Sequence, residues 1–206
     1  IARDAAEEII GSGNYEVVPE EDFVKFWLED GGVNSIFELA FSSTDNMNIN
    51  GLQYIYRGTS YGDIRPLWNF PGLFESTDVR ISSDMFGIEG SYYANFGKYP
   101  SKDYSDNIPI FRYEEVILNY AEALFELGET GLGGLSALDY LNMIPTNRGA
   151  SAYGAISKAN ILLERRKELA FEGFRFDDLA RTGSNIPYIE PTRQRFGGEV
   201  VYGDYR

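Results

Sequence analysis

Three stretches of the chain repeat apolar residues every three or four positions, and each predicts an amphipathic helix. In Tyr113–Leu127 the stripe is Val116, Ile117, Tyr120, Ala121, Leu124 and Phe125, with Gly128 as the stop. In Ser136–Ile144 it is Ala137, Leu138 and Leu141, with Pro145 ending the helix. In Ser157–Arg181 it is Ile161, Leu162, Leu169, Phe176 and Leu179, with a bend at Gly173. The first two form a helical hairpin across a Gly-rich connector. Upstream, Ile1–Ile10 reads as a helix stopped by Gly11. Glu20–Leu28 reads as a short amphipathic helix ended by Gly31 and Gly32, and Ser35–Phe41 as a short strand. Residues 42–108 have no long helical period. They are rich in Gly, Ser, Asn, Asp and aromatics, and predict irregular structure with short strands around Gln53–Arg57 and Asp78–Ser82. A loop-rich stretch this long is either disordered or functional, and the aromatics argue against disorder. The expected architecture is mostly α, in one domain. A helix-and-strand start covers 1–41, a loop-rich face 42–108, a helical scaffold 109–183 and an irregular tail 184–206.

Composition then removes whole classes of function. The 206 residues include no His and no Cys, but 15 Tyr, 14 Phe and 2 Trp. No disulfide framework, thiol nucleophile, Ser-His-Asp triad or Cys- or His-ligated metal can be built. The net charge is −14. That argues against nucleic acid, whose phosphates need a basic stripe. Aspartate and glutamate chemistry, an oxygen-liganded metal and aromatic-based binding remain. The acidic excess is concentrated between Asp4 and Asp45 and reads as a solvated face.

Four patterns could carry chemistry. Glu164, Glu168 and Glu172 lie on one helical stripe and could supply the carboxylate pair of a glycoside hydrolase. Arg165 and Arg175, each three positions from one of them, favour structural ion pairs instead, because a general acid needs a raised pKa. The run from Gly128 to Gly134 lacks the Lys-Ser/Thr ending of a phosphate loop and reads as a connector. Asp45, Asn46, Asn48 and Asn50 alternate as calcium ligands can. Without the Gly and distal Glu of an EF-hand loop, a surface turn is favoured. No cofactor is expected. The aromatics Tyr54, Tyr56, Tyr61, Trp68, Phe70 and Phe74 weigh more. Rings with apolar faces suit sugars, whose C–H faces stack while Asp63, Arg65 and Asn69 could bond the hydroxyls. The competing reading places these rings in a small core beneath the loops.

Arg112–Leu124, the turn containing Asn147-Arg148-Gly149, and the run from Glu164 to Arg181 together resemble the C-terminal region of the SusD/RagB family. The match in order and spacing spans Pro109 to Gly183. Looser similarity occurs at Gly11–Tyr15, Ile36–Phe41 and Asp78–Arg80. The resemblance implies tetratricopeptide-type helix pairs with an irregular ligand-binding face. It implies a non-catalytic, lipid-anchored protein on the surface of the outer membrane. Such a protein delivers glycans, or peptides in some members, to a SusC-like TonB-dependent transporter. Glu168, Glu172, Arg175, Asp178 and Arg181 would then be scaffold residues. Pro145 departs from the family pattern. The lipidated Cys and the family's N-terminal half have no counterpart here, so the chain is expected to be a C-terminal portion of a longer protein. The expected binding residues are Trp68, Tyr61, Tyr54, Tyr56, Asp63, Arg65 and Asn69. An Asp/Glu glycosidase and a helical-repeat adaptor without a small ligand are the competing classes.

Overall fold

The computed structural model describes residues 1–57, 64–90 and 92–184. Tyr61, Asp63 and nearly all of the tail assigned to 184–206 lie outside them. Four longer helices carry the scaffold: α1 (Ala2–Ser12), α4 (Tyr113–Leu127), α5 (Ala137–Thr146) and α6 (Lys158–Glu168). Short α2 (Phe23–Phe26) and α3 (Leu52–Arg57) precede them, and α7 (Phe174–Arg181) follows. Strands β1 (Ser35–Leu39) and β4 (Ile108–Arg112) pair antiparallel, as do β2 (Phe86–Glu89) and β3 (Tyr92–Asn95).

Most of the first two predicted stripes, with Ile161 of the third, become the main core, whereas Phe176 of the third is exposed. Ile117, Leu118, Ala121 and Leu124 of α4 pack with Leu141 and Ile144 of α5 and Ile161 of α6. α4 runs over the predicted span and closes on Gly128 in the left-handed conformation (φ 66°). α5 starts on a capping box, in which Ser136 and Asp139 satisfy each other's backbone N–H. Pro145 does not end α5 but sits in its last turn. α1 likewise passes Gly11 and is capped by left-handed Gly13. The connector between α4 and α5 is packed rather than loose: a Cβ on Gly131 would come within 2.7 Å of both Tyr120 and Tyr140.

Four further expectations are corrected. Gln53–Arg57 is helical, not a strand. Gln53 and Tyr56, three apart, both turn inward and are buried. Asp78–Ser82 is a tight turn, because the Asp78 carboxylate accepts the Arg80 N–H at 3.0 Å. Glu20–Leu28 is split into a 3-10 turn and α2. The third helix is two helices. The carbonyls that would continue α6 are taken elsewhere: Lys98 Nζ donates to Glu168 O and Ala170 O, and Tyr56 Oη to Phe171 O. Gly173 (φ 90°) then starts α7.

A second core of Val18, Phe23, Phe26, Trp27, Tyr56, Met85 and Tyr99 lies under the loop-rich half. A buried charge cluster joins it to the helices. Glu168 accepts from Arg80, Arg112 and Arg148 at 2.9–3.1 Å. Arg148 also holds Glu114, Arg112 holds Glu114 and Glu172, and Lys98 holds Glu172. Arg80 adds Asp78 and Glu164, and Lys167 completes Glu164. The five carboxylates and five cations balance. On the side toward the second core, Arg148 lies 4.3 Å from the Phe23 ring centroid and Lys98 4.8 Å from that of Trp27.

Candidate functional site

The site is built on the segment after α3. Phe70 N–H closes a turn onto Leu67 O at 2.9 Å, which leaves Trp68 and Asn69 at the corner. Pro71 opens the next short turn. Phe70 roots the corner, packing against Phe74, Phe86 and Phe171 at 5.1–5.5 Å. Trp68, two residues before Phe70, is 52% exposed. Asn69 beside it is exposed. Arg65 reaches the β2–β3 hairpin and donates to Glu89 at 2.8 Å. Glu89 faces Tyr92 across the hairpin, and Ile88 and Tyr92 are both exposed. The result is a rigidly rooted face with one indole, an amide and a charge pair, flanked by a hairpin that sequence reasoning did not foresee. Gly87 and Gly90 interrupt the strand signal there.

Other candidates fall elsewhere. Tyr56 is buried, its hydroxyl donates to Phe171 O at 2.7 Å, and burial pushes its pKa up to about 12. It is a core residue, so the competing reading of the aromatics holds for it. Phe70 and Phe74 form the base rather than the surface. Tyr54 packs against Tyr104 at 5.7 Å. Trp68 and Asn69 share the turn corner, and Arg65 upstream of it is turned to Glu89.

The acidic candidates are explained by their partners. Burial pushes the Glu168 carboxyl up, but the guanidiniums of Arg148, Arg112 and Arg80 outweigh it and hold the pKa well below the ordinary range. A carboxylate so held cannot act as a general acid. Arg165 pairs not with Glu168 but with Asp178 at 3.0 Å, and Glu172 pairs with Lys98 and Arg112 rather than Arg175. Arg181 bridges Asp178 and Glu122. Asn46 turns its amide onto Ser42 O and Ser43 O, while its Oδ1 accepts from Asn48 N–H, so that run is a self-bonded turn. Among the described residues no group of three or more acids is placed to hold a metal ion. Among them, too, no helix is long and apolar enough to cross a membrane.

Helix pairs carrying a loop-rich aromatic face define the class of protein. The SusD family model matches residues 42–197, and the chain belongs to that family. A SusD-like protein, P38, of Formosa agariphila is 32% identical over 146 residues, covering 64% of this chain and 26% of its own length. A SusD superfamily protein of Bacteroides thetaiotaomicron superposes with a TM-score of 0.74 at 27% identity, covering 89% of this chain and 46% of its own. A protein of Bacteroides vulgatus, described as a candidate sugar binder, gives a TM-score of 0.77 at 28% identity, covering 89% of this chain and 43% of its own. The chain thus spans less than half the length of these relatives.

Proposed function

We propose that the chain is the glycan-binding part of a non-catalytic surface protein. In this reading the whole protein is lipid-anchored at the outer membrane and hands its ligand to a SusC-like TonB-dependent transporter. The observation that carries the reading is Trp68, held at a turn corner beside Asn69 and the Arg65–Glu89 pair. A half-exposed indole on a fixed base offers a flat apolar face at little ordering cost, and the polar groups around it can orient hydroxyls. Family membership and the Bacteroides vulgatus relative support the same ligand class.

Titration of neutral oligosaccharides against the intact protein and its Trp68→Ala variant tests this. Loss of a stacking anchor is expected to cost about 2 kcal/mol, roughly thirtyfold in Kd. Equal affinity would remove Trp68 from the site. Saturable binding of peptides with none of saccharides would replace the glycan by the family's other ligand class.

A further inference from the structure

Positive charge is scarce in this chain, and among the described side chains most of it is paired. Among the described side chains every Arg and Lys forms an ion pair except Lys102, Arg166 and Arg175. Lys102 is exposed to solvent. Arg166 on α6 and Arg175 on α7 are different: both are half-buried, and both line one cavity of about 110 Å³. Among the described residues the only acid in its lining is Asp178, already occupied by Arg165 at 3.0 Å and Arg181 at 2.7 Å. Burial lowers the proton affinity of both guanidiniums; Arg175 adds to this at Arg166, while Asp178 opposes it at Arg175. Two cations therefore line one cavity, partly out of water, and among the described residues neither forms an ion pair. An anion placed there would relieve both.

One residue links the cavity to the base of the face described above: Phe171 lines it and also packs at 5.5 Å on Phe70. The first turn of α7, which no side chain caps, borders it too.

We propose that the cavity between α6 and α7 binds one oxyanion of an acidic saccharide, the carboxylate of a uronic acid or a sulfate ester, through Arg166 and Arg175. This rests on the glycan-binding reading and narrows its ligand to acidic glycans. Guanidinium suits either group, because its planar fork matches two oxygens at once.

The test titrates the intact protein with a neutral oligosaccharide, a galacturonate oligomer and a sulfated oligosaccharide, using the wild type, Arg166→Gln, Arg175→Gln and Trp68→Ala. The wild type is expected to bind at least one acidic ligand, and the arm that binds identifies the oxyanion. Each arginine variant should lose about tenfold or more for that ligand while keeping its affinity for the neutral one. The unliganded Tm of Arg166→Gln should be unchanged or higher, since it loses no described ion pair and the repulsion from Arg175 is removed. A purely structural arginine would lower Tm instead, and that result overturns the proposal. So does wild-type affinity of both arginine variants for the acidic ligand, or failure of the wild type to bind either acidic saccharide. If the arginine variants are indifferent while Trp68→Ala abolishes binding, the anion site fails and the stacking face stands.

Discussion

Arg80 is the strongest single test of how the irregular half is held to the helices. Its guanidinium donates to Asp78 Oδ1 and Oδ2 at 2.9 and 2.7 Å, to Glu164 at 2.6 Å and to Glu168 at 3.1 Å. Arg80→Met would affect these carboxylates unequally. Glu164 keeps Lys167 and the Tyr153 hydroxyl, and Glu168 keeps Arg112 and Arg148. Asp78, fully buried, has no other cation among the described residues. Stranding one buried charge costs about 3–5 kcal/mol. For a chain of this length that is roughly 6–20 °C in Tm. Asp78→Asn should cost less, since Arg80 retains two glutamates. In the double variant Asp78→Asn/Arg80→Met the cluster again holds equal numbers of opposite charges. Its loss should therefore fall short of the sum by about 1–3 kcal/mol. Urea unfolding followed by far-ultraviolet circular dichroism and by indole fluorescence would measure the cycle, with Trp27 reporting beneath Lys98 and Arg112. An Arg80→Met loss under about 1 kcal/mol, or strict additivity, would refute the view that charge balance in this cluster governs stability.

Three further outcomes follow from the geometry. Gly131→Ala drives a methyl into Tyr120 and Tyr140 and should cost about 1–3 kcal/mol in thermal unfolding; no loss would mean the connector yields freely. Tyr56→Phe leaves the Phe171 carbonyl without its hydroxyl donor and should cost about 1 kcal/mol, with glycan affinity unchanged because Tyr56 is in the core. Burial opposes ionisation of Glu122, but hydrogen bonds from Arg181 and Lys158 outweigh it and lower its pKa from 4.5 to about 2. Its contribution is therefore present above pH 4.5 and lost as pH falls through 2. In Glu122→Gln, unfolding free energy measured from pH 5 to pH 2 should lose that part of its slope.

How much could be read from sequence followed the range of the interactions. α4 and the start of α5 were legible because their signals are local: a 3.6-residue stripe, a Gly stop, a Ser cap. Gln53–Arg57 was misread because Tyr-Ile-Tyr has the composition of a strand. There, burial of Gln53 and Tyr56 against a distant loop decided the conformation, and strand propensity yielded to tertiary packing. The bend at Gly173 was legible, but the end of α6 at Glu168 was not, since Lys98 and Tyr56 lie 70 and 115 residues from the carbonyls they take. Spacing rules see partners at three and four residues, so Arg165 and Arg175 were offered to Glu168 and Glu172. The real partners, Arg80, Arg112 and Arg148, stand 20 to 88 residues away from Glu168. Trp68 was legible as an aromatic in a loop-rich stretch. Its exposure depended on which neighbour, Phe70, turned inward.

The two arrangements of charge suggest a division of labour within the fold. In the cluster around Glu168, opposite charges are matched and sealed from water, and removing any member leaves a buried charge behind. Such a network constrains geometry strongly, so it suits the junction that fixes an irregular half to a helical half. At Arg166 and Arg175 the match is missing, and the cost is a repulsion the fold tolerates. A protein of net charge −14 has acids to spare for two arginines, yet the lining of their cavity offers only one, already taken. Unpaired charge at that place is a feature of the site rather than a shortage of partners. Near Trp68 the fold packs Phe70 against Phe74 and Phe171 and leaves the indole 52% exposed. Function is best sought where the rules of satisfaction followed elsewhere in the chain are left open.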